Sequence, residues 1–171
     1  MAKIITFTGT AEWAKLSEDN RDLGDDQSDK GKKIADNGGQ YSLNFYFDDP
    51  DAAEATMIAN KVSMVNLGYP VIKENDGRKF IKPFRYHNPT VTRNGQTITG
   101  TGGPPRVIDS EGNDWDPEVL IGNGSQVMVA IELYPANNKM FMRLKGVRVD
   151  ELVEYDAGND VDVADVMMAA G

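Results

Sequence analysis

The chain has 171 residues, 40% of them hydrophobic, and a formal net charge of −9, which suits one domain with a modest core. It has no cysteine, which excludes disulfides, thiolate catalysis and cysteine-bound zinc. No apolar run approaches the roughly 18 residues of a membrane span, and Met1 to Phe7 is too short, with too polar a continuation, for a secretory signal.

The first predicted element is a strand over Thr10 to Leu16, with Ala11, Trp13 and Lys15 on one face and a helix as the alternative that propensity alone allows. Ser17 to Gly39 follows, rich in Asp, Asn, Ser, Gly and Lys and almost without large apolar residues, and reads as a mobile loop. Gln40 to Phe47 alternates cleanly: Tyr41, Leu43, Phe45 and Phe47 face a core, and Ser42, Asn44 and Tyr46 face away. Asp49 then caps a helix with Pro50 at its first position. Met57, Ile58, Val62 and Val65 form its stripe, and Gly68 is its expected stop. Lys79 to Tyr86 is a further strand, with Pro83 marking an edge or a break. Asn94-Gly95 is a hairpin turn that pairs Thr90, Val91 and Thr92 with Thr97, Ile98 and Thr99 and carries Arg93 near its tip.

The best-ordered stretch is Pro104 to Tyr155. Arg106 to Ile108 is a short apolar run leading into an acidic turn. Val127, Val129, Ile131 and Leu133 alternate with Met128, Ala130, Glu132 and Tyr134. Pro135 to Asn138 supplies a turn. Met140, Met142 and Leu144 then alternate with Phe141, Arg143 and Lys145, giving a hairpin whose outward face joins an aromatic to two cations. Gly146 interrupts the pattern, as at a bulge. The expected architecture is mainly β: a five-stranded barrel with one helix after the second strand and accessory hairpins. The oligonucleotide-binding (OB) type is among its candidates, and a β-sandwich is the alternative. Residues 1–155 form the domain, and 156–171 an acidic flexible tail.

The acidity is unevenly placed. Asp150 to Gly171 holds seven acids and no base, residues 61–149 hold 12 bases against 8 acids, and Lys73 to Arg106 carries seven bases against Glu74 and Asp76. A basic centre between acidic ends keeps a polyanionic ligand open where the net charge alone argues against one.

Enzymatic constellations fail. His87 is the single histidine, beside Asn88-Pro89 in a loop, too little for a triad. Gly100 to Pro105 lacks the last glycine of a dinucleotide loop and the lysine of a phosphate loop. Asp109 to Asp114 has its glycine two positions early for a calcium loop, and reads as an acidic turn. No catalytic residue, metal site or cofactor is expected.

The chemistry that remains is that of single-stranded nucleic acid, where cations follow phosphates and flat side chains stack on bases. Lys79, Lys82 and Arg85 interleave with Phe80, Phe84 and Tyr86, and Phe141, Arg143 and Lys145 repeat the pattern. Lys73, Arg78, Arg93 and Arg106 lie in neighbouring loops, and Trp13 and Tyr46 are further aromatics on strand faces that need not be core. The competing reading buries Phe80 and Phe84 and lets the lysines extend to water. Trp115, in an acidic turn, is expected to cover one end of the barrel. The tail acids Asp156, Asp160, Asp162 and Asp165 are either a solubilising tail or a mobile mimic of DNA charge.

Several fragments bear a further relation. Thr10 to Lys15, Tyr41 to Phe47 with Asp48-Asp49, Gly103-Pro104-Pro105-Arg106-Val107-Ile108-Asp109, Ile121 to Ser125, Arg143 to Val147 and Leu152 to Tyr155 together resemble phage-encoded single-stranded DNA-binding proteins. The resemblance spans roughly residues 10–155. It implies an OB barrel with an acidic tail, and non-enzymatic, sequence-independent DNA binding in phage replication, recombination and repair. It also implies a place in the cytoplasm of an infected bacterium, and a tail that regulates DNA access and recruits a polymerase or helicase. Family tails often end in an aromatic, whereas this chain ends Met167-Met168-Ala169-Ala170-Gly171. A virion structural or decoration barrel is the alternative.

Overall fold

The computed structural model describes residues 3–66, 68–100 and 102–154, and for residues 91–93 and 99 the backbone alone. The expected acidic tail lies outside the described residues. Ile5, Phe7 and Ala11 are buried and alternate with Ile4, Thr6, Thr8 and Thr10, and this pattern builds β1 (Lys3–Lys15). The strand begins well before the expected Thr10. A register shift between Glu12 and Lys15 marks a bulge, within which Trp13 takes a left-handed φ of 52°.

Ser17 to Gly39 is not the structureless loop its composition predicts. It contains α1 (Asp29–Asp36), capped by Ser28 Oγ accepting from the Gly31 N–H at 2.9 Å. Ile34 is buried, and Asp22 and Gln40 exchange backbone hydrogen bonds at 2.9 and 2.8 Å. One buried apolar residue and a set of backbone bonds hold what hydrophobic content alone would not.

β2 (Gln40–Phe47) follows the predicted bounds. Then α2 (Pro50–Ala59) begins as expected, with the Asp49 carboxylate accepting from the Ala52 N–H at 3.1 Å. It ends short of Gly68. Asn60 Nδ2 donates to the Thr56 carbonyl at 2.8 Å, and Lys61 turns to a φ of 59°. Of the predicted stripe, Met57 is buried within the helix and Val62 beyond it, whereas Ile58 and Val65 are exposed. A small hairpin, β3 (Val65–Asn66) and β4 (Tyr69–Pro70), leads to β5 (Lys73–Asn75) and β6 (Arg78–Ile81). Lys82-Pro83 divides β6 from β7 (Phe84–Tyr86), the break expected of that proline. β8 (Thr90–Arg93) and β9 (Gln96–Thr99) pair in the predicted register around Asn94 and Gly95, both at positive φ as a type I′ turn requires. β10 (Arg106–Asp109), β11 (Ser125–Ala136) and β12 (Lys139–Glu151) complete the chain, with Asn137 and Asn138 at positive φ in the last hairpin turn.

Eight strands form one sheet in the order β10-β12-β11-β1-β2-β6-β5, with β7 also paired to β2. The expected five-stranded barrel is therefore not what the backbone hydrogen bonds describe: the sheet has more strands and is not closed. β10 lies parallel to β12, opposite Gly146 to Val149. Across the gap from β7 to β12, Arg85 Nη1 donates to the Leu144 carbonyl at 3.3 Å.

Leu43, Phe45, Ile81, Val127, Val129, Ile131 and Leu144 are almost wholly enclosed in the core. Each such side chain contributes about 1.5–3 kcal/mol. Gly9 lets β1 press against β2: a Cβ there would stand 2.0 Å from the Tyr46 carbonyl oxygen. Gly146 plays a similar part under Arg106, at 2.8 Å from its carbonyl oxygen. Trp115 packs against the core, as expected, and its indole N–H donates to the Val119 carbonyl at 2.9 Å. Asp109 accepts from the Glu111 and Asn113 N–H groups, so its carboxylate is engaged in a turn.

Candidate nucleic-acid interface

Residues directly opposite in paired strands share a face. Lys73 stands opposite Phe80, Phe80 opposite Tyr46, and Tyr46 opposite Thr10. Ser42 stands between Lys15 and Phe84, and Gln40 opposite Tyr86. Phe80, Phe84, Tyr86 and Tyr46 therefore project from one side of β2, the side away from the core cluster. Phe80 and Phe84 are half-buried there and belong to that outer face.

Tyr46 is not the open stacking residue its parity predicts. It is 5% exposed. Phe80 lies over it with centroids 4.8 Å apart, the Arg78 guanidinium sits 4.1 Å from its ring centre, and its hydroxyl accepts from Asn75 Nδ2 at 3.2 Å. Folding of β5 and β6 over β2 covers it, so Phe80 and Arg78 present the surface. Arg78 is also paired with Glu12 at 3.2 Å. Phe84 and Tyr86 meet edge to face at 5.5 Å.

The second half lies on β11 and β12. Tyr134 stands opposite Phe141, with ring centres 6.0 Å apart, and Arg143 caps the Tyr134 ring at 4.4 Å. Glu132 draws on both hairpin cations, Arg143 at 3.5 Å and Lys145 at 3.8 Å. The two halves meet along β7 and β12. Burial first, and then Tyr134, pushes the Tyr86 hydroxyl above its ordinary value. Arg85 is lowered, by burial and then by Arg143.

Arg85 itself is not an outward cation. It shares the Tyr41 side of the strand, and its Nε is buried with no hydrogen-bond partner among the described residues. It closes the gap rather than facing solvent. Lys79 stands opposite Glu74, on the other face from Phe80. Arg106 opens β10 beside Gly146 and pairs with Asp114 at 3.5 Å on an exposed edge. Trp13 is 65% exposed, its backbone N–H donating to Asn123 Oδ1 at 2.7 Å. The Arg93 side chain and the tail residues Asp156, Asp160, Asp162 and Asp165 lie outside what the structure describes. His87 is half-buried rather than solvent-exposed, with Nδ1 2.6 Å from the Tyr41 hydroxyl.

Sequence reasoning missed Tyr134, Lys15 and Lys30. Tyr134 was legible as the cross-strand partner of Phe141. Lys30 was not, because α1 stood inside the expected loop. Burial first, and then Lys30, Lys73 and Lys15, holds the Lys82 ammonium below the ordinary lysine range, with Asp22 opposing.

No protein-family model matches the chain, and no curated relative matches it. Solved structures do. The fold is similar to that of gp2.5, a single-stranded DNA-binding protein encoded by bacteriophage T7, at 22% identity and a TM-score of 0.55, covering 94% of this chain and 97% of that one. It is also similar to the single-stranded DNA-binding protein of bacteriophage Enc34, at 14% identity and a TM-score of 0.51, covering 96% and 89%. A C-terminally truncated form of the Enc34 protein matches at 16% identity and a TM-score of 0.53, covering 88% and 87%. The chain thus shares the fold of phage single-stranded DNA-binding proteins.

Proposed function

We propose that the chain binds single-stranded DNA without sequence preference and catalyses nothing. The observation that carries this reading is the meeting of an aromatic surface, Phe84 and Tyr86, with an aromatic and cationic one, Tyr134, Phe141, Arg143 and Lys145, across the β7–β12 gap. Bases stack on flat side chains whatever their identity, and cations take the phosphates. The shared fold supports the same reading. On this reading the open sheet serves as an OB-type barrel, with Arg85 bridging the seam between β7 and β12 where no backbone ladder forms. Phe80, Arg78, Lys73, Trp13 and Arg93 border the path, with Tyr46 supporting Phe80. Among the described residues no helix is long and apolar enough to cross a membrane. The reading places the protein with phage DNA during replication, recombination and repair in the host cytoplasm. A polymerase or helicase is its further partner, recruited through the acidic tail.

A fluorescent oligothymidine titrated at low salt tests it. Saturable binding is expected at micromolar protein. If about five phosphates are neutralised, log affinity falls against log salt with a slope near −3.5. Absence of binding at micromolar protein sinks the reading. The tail, with Asp156, Asp160, Asp162 and Asp165, is proposed to compete with DNA for the basic surface. A chain ending at Tyr155 then binds more tightly at low salt, and unchanged or weaker binding rejects the competition.

A further inference from the structure

Lysines from separate parts of the chain are drawn toward one side of β2: Lys15 and Lys73 by strand register, and Lys30 by the effect of its charge on Lys82. Lys15 stands opposite Ser42, which stands opposite Phe84, while Lys73 stands opposite Phe80. Lys82 occupies the break between β6 and β7, flanked in the chain by Ile81 of β6 and Pro83. Lys30 arrives from the first turn of α1, the end whose dipole disfavours a cation. α1 is held there by the Asp22–Gln40 bridge and by the Gly39 N–H donating to the Ile34 carbonyl at 2.9 Å. None of the four lysines makes an ion pair among the described residues.

Their mutual effect is visible at Lys82. Its ammonium is lowered by burial and then by Lys30, Lys73 and Lys15, with Asp22 opposing them. Like charges gathered around a half-buried ammonium work against the folded state. An anion placed among them relieves that cost. Phe80 and Phe84 stand in the same rows, so a strand stacked on the aromatics brings its phosphates to these lysines.

We propose that Lys15, Lys30, Lys73 and Lys82 form a phosphate subsite that carries the DNA backbone across β2 toward α1. It rests on the DNA-binding reading above, and it adds Lys15, Lys30 and the α1 segment to the surface. The hairpin half supplies stacking with cations already shared by Glu132. The lysine half supplies unpaired charge.

The test uses the full chain, a fluorescent oligothymidine and a salt series. Two double variants remove the same net charge: Lys15→Gln with Lys30→Gln, and Lys3→Gln with Lys32→Gln, the latter both exposed and outside the lysine group, with Lys3 opposite Leu133 on β11. The first double is expected to lower the magnitude of the salt slope by about 1.4, or roughly 0.7 for each phosphate left without its lysine. The second is expected to lower it by less than about half that amount. The thermal midpoint of the first double is expected at or above that of the unaltered chain, because repulsion is relieved. A wild-type slope in the first double, equal reductions in the two doubles, or a lowered midpoint in the first would each overturn the subsite while leaving DNA binding standing. Absence of oligothymidine binding by the unaltered chain would remove both.

Discussion

The hairpin patch and the lysine patch solve opposite electrostatic problems. On the hairpin face Arg143 caps Tyr134 and shares Glu132 with Lys145. Lys82 is instead held below the ordinary lysine range by burial and then by other lysines, with Asp22 acting against them. The first surface is complete without a ligand. In the second, on the proposed reading, an anion would relieve the repulsion. On the same proposed reading both halves offer rings for stacking, and the lysine side adds the larger share of salt-dependent affinity.

Removing a stacking ring should have the largest effect. Phe141→Ala and Tyr86→Ala are each expected to weaken oligothymidine binding by about 1–3 kcal/mol while leaving the salt slope unchanged. A folded Phe141 variant of undiminished affinity, checked by the same titration, would take the hairpin out of the site. Lys82→Met should act the other way, reducing the magnitude of the slope by about 0.7 and raising the thermal midpoint by a few degrees.

The sign of the pH dependence at Lys82 follows from its lowered folded-state value. Between that value and the ordinary lysine value the unfolded chain holds more protons, so stability rises with pH there. The penalty is full below the folded value, where both states are charged, and is relieved as pH climbs from that value toward the ordinary lysine value. The midpoint difference between Lys82→Met and the unaltered chain should therefore shrink on the alkaline side in a calorimetric series. A difference that stays constant would show that burial and repulsion at Lys82 are not its source. Smallest of all, Glu132→Gln should free Arg143 and Lys145 and tighten binding by about two- to fivefold at low salt, with stability changed by less than about 0.5 kcal/mol. Weaker binding in that variant would mean that Glu132 positions the two cations instead of diverting them.

The same contrast marks what the sequence disclosed. β11, β12 and the Asn94-Gly95 hairpin were legible because alternation and turn residues are local signals, and the outward face of Phe141, Arg143 and Lys145 follows from them. The break at Pro83 was legible from a missing donor. α1 was not read, although Ser28-Asp29 at its start and Gly38-Gly39 beyond its end are helix signals, because composition was weighed above them. Missing α1 meant missing Lys30. Parity placed Tyr46 on the outer face correctly, but parity says nothing of what folds over a face. Its cover, Phe80 and Arg78, comes from a distant hairpin. The role of Arg85 was hidden for the same reason: only tertiary packing brings it to the Leu144 carbonyl.

The place of β1 has a consequence for how the molecule comes into being. β1 lies between β2 and β11, and its Thr10 hydroxyl accepts from Gln126, 116 positions away. On a ribosome β1 and β2 emerge early, with one edge of β1 unpaired until β11 is made. Such long-range pairing makes folding slow, and it leaves an open strand edge available to other nascent chains in the meantime. Thr6, Thr8 and Thr10 along that strand, with Lys3 at its head, keep it polar enough to wait.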